Sequence, residues 1–474
     1  MISFQNTYIH LPERFYKPSQ PAKFASPSLL CFNDRLADEL YIDHTSVTKK
    51  DLASVFSGQT ILPGSQPIAQ AYAGHQFGYA SYQLGDGRAL LLGETAGFDI
   101  QLKGSGQTPF SRSGDGRSAL GPVIREYLVS EAMYALGVPT TRALAAVRTG
   151  EEVYRQFGPE PGGILTRVAP SHIRVGTFQY FAFRKDTEGI KILLDYTIEK
   201  HYPGLKGKSY QNKSLGLLQQ LSQRQVDLVA HWMSLGFIHG VMNTDNFSIA
   251  GITLDYGPCA FMDAFHFHQT FSSIDVHGRY SYSNQLAMAE WNLLRLADCL
   301  LPLIDTEQER AVDKVLESLG DLEKTFASAM SKKFAEKLGL QKTLPEAEKL
   351  VKLFLSYLHS EKLDFTLAFR YLNDLYLETP SFYPKTHQLD NFLSLWKQRV
   401  AVTVIDNLHQ INPLYIPRNH QVERAIQASY QGDDSVFFEL LGVLQKPFEE
   451  FVEHSQYALS PRKDEIVHET FCGT

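Results

Sequence analysis

Residues 235–263, LGFIHGVMNTDNFSIAGITLDYGPCAFMD, gather the side chains that phosphate chemistry needs. A helix-like run, Ser222 to Leu235, stops at Gly236, a residue suited to the left-handed cap of a helix. A polar loop from His239 to Asn246 follows, then an apolar segment, Ser248 to Leu254, expected to be a short strand, then the turn Asp255-Tyr256-Gly257. Asn246 and Asp255 offer one amide and one carboxylate oxygen. Magnesium and similar hard cations take oxygen ligands and bridge nucleotide phosphates, so these two are candidate metal ligands. Asp245, beside Asn246, is the nearest carboxylate in the loop and the candidate proton acceptor.

Helix, loop with Asp and Asn, strand and Asp-x-Gly are laid out as in a protein-kinase core, where the Asn and the Asp hold the metal ions. One part differs. A kinase loop reads His-Arg-Asp, with the Asp as base. Here the third position is Val241, which accepts no proton. Either the base has moved within the loop or this core does not transfer phosphoryl groups.

Other candidates lie upstream. Asp99 to Lys103 alternates as a strand does, and Lys103 at its end is placed like the kinase lysine that reaches phosphates. A helix follows, with Pro122 in its first turn, Gly137 as its cap and Pro139 as its stop. Ile124, Leu128, Ala132 and Leu136 line one face. Glu126, off that stripe but beside Val123 and Val129, is expected to be half-buried and to need a partner. Lys103 is the candidate, against a local pairing with Arg125. The turn Gly85-Asp86-Gly87 precedes Arg88. Its glycines allow close backbone approach to a ligand, and the Arg88 fork matches a phosphate; alone, the same turn reads as a plain hairpin. Asp115-Gly116 forms a second such turn, able to meet a ribose or base. Arg167 and Arg174, with few acids nearby, suggest an anion pocket.

The elements that must position these groups are read from pattern. Residues Met1 to Gln59 form an irregular lead-in with a short helix near Asn33 to Leu40. Tyr72 to Leu102 and Thr140 to Arg184 read as strands. From Asp195 the chain turns helical, with helices expected at Asn284 to Leu303, Glu307 to Leu338, Leu344 to His359, Phe365 to Tyr376, Leu389 to Leu408, Gln421 to Gln431 and Ser435 to Gln445. Trp291, Leu294, Ala297 and Leu301 read as a core stripe. His231 and His239 lack a third ligand at a zinc-like spacing, so His239 is expected to brace the loop.

The chain has 474 residues, 43% hydrophobic and 20% charged, with net charge -7. That balance is ordinary for a folded globular protein. It provides no basic field for non-specific nucleic-acid binding. No apolar run approaches the ~20 residues that span a bilayer, and no leader of the secretory or transit type is seen. A cytoplasmic monomer is the expectation. Cys31, Cys259, Cys299 and Cys472 form no C-x-x-C pair, which argues against structural zinc.

The blocks QLGDGRA, QLKGSGQTPFSRSGDGRSAL, IREYLVSEAMYALGVPTTRAL, RVAPSHIRVGTFQYF, HGVMNTDNFSIAGITLDYGP and INPLYIPRNHQVERAIQASYQGD resemble the selenoprotein O (SelO) family. The resemblance implies an α+β, protein-kinase-like bilobal fold. A sheet-rich N-lobe, residues 1–184 with an N-terminal extension, would precede a large, mostly helical C-lobe, residues 185–474, carrying the catalytic loop 239–257. It further implies transfer of AMP from ATP, or of UMP from UTP, to Ser, Thr or Tyr hydroxyls of proteins, with self-modification. The nucleotide is implied to bind in reversed orientation, its α-phosphate facing the acceptor. By position, nucleotide contacts fall on Gly85, Gly87, Arg88, Lys103, Asp115, Gly116, Arg167 and Arg174. The helix Glu paired with Lys103 falls on Glu126, the proton acceptor on Asp245, and the Mg²⁺ or Mn²⁺ ligands on Asn246 and Asp255. Some members join a C-terminal Cys or selenocysteine to a Cys beyond the Asp-x-Gly turn. Cys472 stands in the tail position, but residues 264–284 contain no cysteine. The alternatives are a true protein kinase and an ATP-binding scaffold without catalysis.

Overall fold

The computed structural model describes residues 2–156, 158–341, 346–379 and 382–470. Cys472 and Leu344 lie outside them.

Ten strands precede residue 170 among the described residues: β1 (Tyr16–Pro18), β2 (Ser28–Phe32), β3 (Ile68–Gln70), β4 (Gly74–Gln76), β5 (Tyr79–Ser81), β6 (Ala89–Thr95), β7 (Phe98–Lys103), β8 (Ser118–Ala119), β9 (Arg142–Arg155) and β10 (Gly158–Ala169). Seven run in the order β1-β3-β6-β7-β10-β9-β2, and β8 pairs with β10 to complete an eight-stranded sheet. The sheet is antiparallel, and β4 and β5 form a separate hairpin. The tight turn between β6 and β7 is Ala96-Gly97, both at positive φ, as a two-residue hairpin loop with matching twist requires. Gly85-Asp86-Gly87 is therefore the loop before β6 and not the hairpin turn.

Strand alternation sorts the sheet's two faces. Ile100 and Leu102 pack with α1 (Asp34–Glu39) and α2 (Lys49–Phe56) through Leu36, Leu52 and Phe56. Gln101 and Lys103 therefore face the other way, toward α3 (Leu120–Ala135). Lys103 pairs with Leu165 and Gln101 with Arg167 across the strands. Cross-strand partners share a face, so Lys103 and Arg167 point the same way. Helix α3 is buried on both sides. Beyond it, Leu120, Val123 and Ile124 meet Val422, Ile426 and Phe437 of the helices Asn419–Tyr430 and Ser435–Leu444.

Residues 175–182, expected as strand, form helix α4 (Val175–Ala182). The aromatic and Thr content that favours strands is overridden because Thr177 Oγ1 accepts from the Arg174 N–H, and Phe178 and Phe181 enter the core one turn apart. α5 (Thr187–His201) and α6 (Tyr210–Ser234) follow, the latter longer than the expected Ser222 to Leu235. Gly236, at positive φ, ends it. The expected strand Ser248 to Leu254 is instead a tight turn. Phe247 bridges Thr253 around Gly251, while Ile249 N–H donates to Ile173 O at 3.0 Å.

In α7 (Gln285–Ile304) the buried stripe is Leu293, Leu296, Leu300 and Leu303. Of the stripe read from sequence only Ala297 is fully buried; Trp291, Leu294 and Leu301 are half-buried. The helix expected over Glu307 to Leu338 breaks at Gly320, at positive φ, into α8 (Gln308–Leu319) and α9 (Leu322–Lys337). The helix expected over Leu389 to Leu408 ends at Trp396, and that over Phe365 to Tyr376 breaks at Tyr371. No helix among the described residues is long and apolar enough to cross a membrane.

Candidate active site

Four charged side chains meet where the sheet face, α3 and the Asp-Tyr-Gly turn converge. Lys103 Nζ donates to Glu126 Oε2 at 2.6 Å and to Asp255 Oδ2 at 2.9 Å. Arg167 Nε donates to Glu126 Oε1 at 2.8 Å, and its Nη2 reaches both Glu126 and Asp255. Glu126 is 3% exposed and Arg167 4%. Glu126 is thus more deeply buried than sequence suggested and has two cationic partners. Arg125 pairs with Glu423 instead. Two carboxylates and two cations offset one another, which a buried charge requires. Burial would raise the Asp255 carboxyl, but Lys103 and Arg167 hold it well below the usual carboxylate range. Both cations lie on Oδ2. Among the described residues Oδ1 accepts no hydrogen bond, and the side chain remains 20% exposed.

The loop that carries Asp245 is pinned from every side. Backbone bonds tie Val175 to Phe247 and Ile249 to Ile173, bringing Arg174 against it. Asn243 Oδ1 accepts from Phe77 N–H (3.0 Å) and Tyr280 Oη (2.5 Å). Thr244 Oγ1 donates to Gln179 Oε1 and accepts from His75 N–H, each at 2.6 Å. The β4–β5 hairpin therefore sits on the loop. A Cβ on Gly74 would fall 2.9 Å from Asp245 Oδ1, so the glycine makes room for the carboxylate. Asp245 receives one long bond, from Gln76 Nε2 at 3.4 Å, and its Oδ1 is buried without a partner. Burial raises its pKa to about 6. Asn246 Nδ2 donates to Val241 O at 3.1 Å, which fixes the amide. His239, buried, donates its N–H to Gln285 Oε1 and accepts from the Val241 N–H. Burial holds its imidazole near pKa 4, hence neutral, as a bracing residue should be.

Arg174 lies over the Tyr72 ring at 4.2 Å, donates from Nε to His172 O, and has Nη2 3.8 Å from Asp86 Oδ1. Asp86 is one of the residues that sequence reasoning passed over. It is buried inside the Gly85-Asp86-Gly87 turn and accepts from Gln70 N–H at 3.0 Å. Gly85 serves packing: at positive φ, its missing Cβ leaves space for the Phe110 ring. Gly87 and Arg88 are half-buried at the start of β6. Asp115 is exposed and pairs with Arg155 at 2.9 Å; Gly116 beside it is buried. Neither makes a hydrogen bond or ion pair with the four-charge cluster. Gln76, Gln179 and Asp86 were missed because their roles arise from chain segments distant in sequence.

Among the described residues no three His, Cys, Asp or Glu side chains gather as a metal cage. The set present is one carboxylate oxygen without a partner, one loop amide and the buried Asp245 Oδ1. It fits a magnesium-like ion, which takes one or two protein oxygens and completes its shell with water and substrate phosphates. A cavity of about 470 Å³ between α6 and α9, lined in part by Gln223, Lys324 and Lys333, includes none of these residues.

Comparison with known proteins adds an independent line. Residues 1–445 match the sequence model of the family described as protein adenylyltransferase SelO. A protein nucleotidyltransferase YdiU of Rhizobium etli is 48% identical over 490 aligned positions, covering 100% of this chain and 97% of that protein. The protein of the same name from Agrobacterium fabrum is 47% identical with full coverage of both chains. That from Bradyrhizobium diazoefficiens is 48% identical, with 99% of each chain covered.

Proposed function

The chain belongs to the protein adenylyltransferase SelO family and is a protein nucleotidyltransferase; from that premise we propose that it moves AMP from ATP to Ser, Thr or Tyr hydroxyls of other proteins and of itself, with UTP as an alternative donor. In this reading the sheet-rich residues 1–184 and the helical residues 185–474 are the two lobes of a kinase-like fold, and the nucleotide lies between them. The observation that carries it is Asp255: one oxygen is saturated by Lys103 and Arg167, the other accepts no hydrogen bond among the described residues, and the Asp255 charge is felt by Asp245 in the loop.

Asn246 and Asp255 would hold Mg²⁺ or Mn²⁺, which supplies charge neutralisation at the phosphoryl oxygens. Lys103, set by Glu126, and Arg167 keep Asp255 anionic and present donors to a phosphate oxygen. Arg174, steadied on Tyr72, takes a more distant phosphate. Gly85, Gly87, Arg88, Asp115 and Gly116 contribute contacts to the nucleotide's remaining parts.

Asp245 takes the acceptor proton. With its pKa near 6 it is ionised at neutral pH yet more basic than an ordinary carboxylate. The acceptor oxygen bonds to the α-phosphorus, the α–β anhydride bond breaks, and pyrophosphate leaves with the electron pair. Val241, buried and apolar at the position of a kinase base, favours this reading over phosphorylation. Parallel incubations with α-labelled and γ-labelled ATP test it. Label from the α position alone is expected in protein. Label from the γ position alone would assign a kinase.

A further inference from the structure

The β4–β5 hairpin that packs on the catalytic loop carries a hydroxyl that the reaction above does not use. Gly74, His75 and Gln76 pair with Ser81, Ala80 and Tyr79, and Phe77-Gly78, both at positive φ, make the two-residue turn. Side chains two apart on a strand share a face, and so do partners across an antiparallel pair. The face of Gly74 and Gln76 is turned toward Asp245. A Cβ on Gly74 would fall 2.9 Å from Asp245 Oδ1, and Gln76 Nε2 lies 3.4 Å from Oδ2. Tyr79 and Ser81 are therefore on that face as well.

The side-chain hydroxyls within residues 74–81 and 239–246 are those of Tyr79, Ser81 and Thr244. Thr244 is buried, its hydroxyl held between Gln179 Oε1 and the His75 N–H. Ser81 is half-buried. Tyr79 is 81% exposed and makes no hydrogen bond or ring contact among the described residues, so its ring can change rotamer without moving the hairpin. Directly opposite partners stand about 4.5–5.5 Å apart at Cβ. Tyr79 thus starts beside the residue whose amide already reaches Asp245. The hairpin holds it there: His75 N–H donates to Thr244 Oγ1, Phe77 N–H to Asn243 Oδ1, and the Phe77 ring meets Tyr280 edge-on at 5.3 Å.

We propose that Tyr79 is the acceptor when this chain modifies itself, and that the transfer runs within one molecule. This rests on the reading that the chain moves AMP to protein hydroxyls. Tyr79 Oη bonds to the α-phosphorus of ATP, the α–β anhydride bond breaks, pyrophosphate leaves with the electron pair, and the phenol proton passes to Asp245.

The test incubates the full chain with ATP and Mg²⁺, alone and with reduced casein as an unfolded acceptor, and maps modified peptides by mass spectrometry. AMP is expected on Tyr79, formed at a rate per molecule that does not change with protein concentration. Tyr79→Phe, which removes one exposed oxygen and keeps the ring, should lower self-modification at least ~10-fold, the advantage of a tethered acceptor over free ones. It should leave AMP transfer to casein and the KM for ATP unchanged. Ser81→Ala should keep both reactions. AMP mapped to another hydroxyl, self-modification retained by Tyr79→Phe, or a rate that rises with protein concentration overturns the proposal and leaves the transfer reading standing. So does AMP on casein with none on the chain. Phosphate in place of AMP on Tyr79 would keep the acceptor and sink the transfer reading. AMP on neither protein would sink both.

Discussion

Two buried ion networks flank the segment from Asp255 to Asp263, and they are built to opposite ends. At the far end, Arg418 is 0% exposed and its donors are matched. Nη1 reaches Asp263 Oδ1 at 2.5 Å and Asp364 Oδ2 at 2.7 Å, Nη2 reaches Asp364 Oδ1, and Nε donates to Ala458 O. Ser460 Oγ adds a further bond to Asp364. There the buried cation is fully matched, while Asp263 Oδ2 accepts no hydrogen bond among the described residues. At the near end, Lys103, Glu126 and Arg167 are equally engaged and Asp255 also keeps one oxygen that accepts no hydrogen bond among the described residues, but two cations hold its pKa well below the usual carboxylate range, where burial raises that of Asp263. The same chemistry holds the C-terminal region to the chain in one place and sets the aspartate that we propose as a metal ligand in the other. Neither buried charge nor an oxygen left over marks a candidate site by itself; a carboxylate kept anionic by two cations within reach of a second one, Asp245, does.

The comparison breaks most sharply at Asp255. Asp255→Ala is expected to lower α-label transfer per folded molecule by about 10⁴-fold or more, because metal and charge neutralisation are lost together; it also leaves Lys103 and Arg167 with one carboxylate between them, so circular-dichroism melting should fall as well. Near-full transfer by this variant would remove the distinction. Asp245→Ala should cost less, about 10²–10⁴-fold and always below Asp255→Ala, since only proton acceptance is lost; single-turnover rates measure it.

Arg418→Met should act the other way round. It leaves two carboxylates without their cation, so urea denaturation should show a loss of about 3–5 kcal/mol, with transfer per folded molecule retained. Gln76→Ala is expected to give the smallest change in transfer, a few-fold at most, as its single bond to Asp245 is long.

Acid sets a fifth test, on stability alone. Burial lowers the pKa of His172 and of His201 to about 4 and that of His231 to about 3. Each binds a proton more readily when unfolded. Stability should therefore fall as pH drops from about 6.5 toward 4, by up to about 1.4 kcal/mol per pH unit for each histidine. Asp255, already held well below that window, stays ionised through it. A melting temperature unchanged between pH 7 and pH 5 would contradict this.

Much of the site was legible because its residues carry their own punctuation. Lys103 ends an alternating strand, Glu126 lies in a helix marked by Pro122, Gly137 and Pro139, and Asn246 and Asp255 frame a loop ended by a glycine turn. The local misreadings came where tertiary contacts outvoted propensity. Val175–Ala182 carries strand-forming residues but is capped by Thr177 and packed as a helix. Ser248 to Leu254 is apolar because it is buried, not because it extends. Asp86 and Gln76 act through partners far away in the chain, and no spacing announces such pairings. The tie from Arg418 to Asp263 and Asp364 spans three distant segments and was invisible for the same reason.

In the reading proposed above, the oxygen left over on Asp255 serves the innermost phosphate of a nucleotide through a bound ion. The most direct test is a crystal structure of the chain with a non-hydrolysable ATP analogue and Mg²⁺. The ion is expected on Asp255 and Asn246, and the α-phosphorus is expected to face Asp245. A nucleotide with its γ-phosphate toward Asp245, or an ion bound away from Asp255, would contradict it.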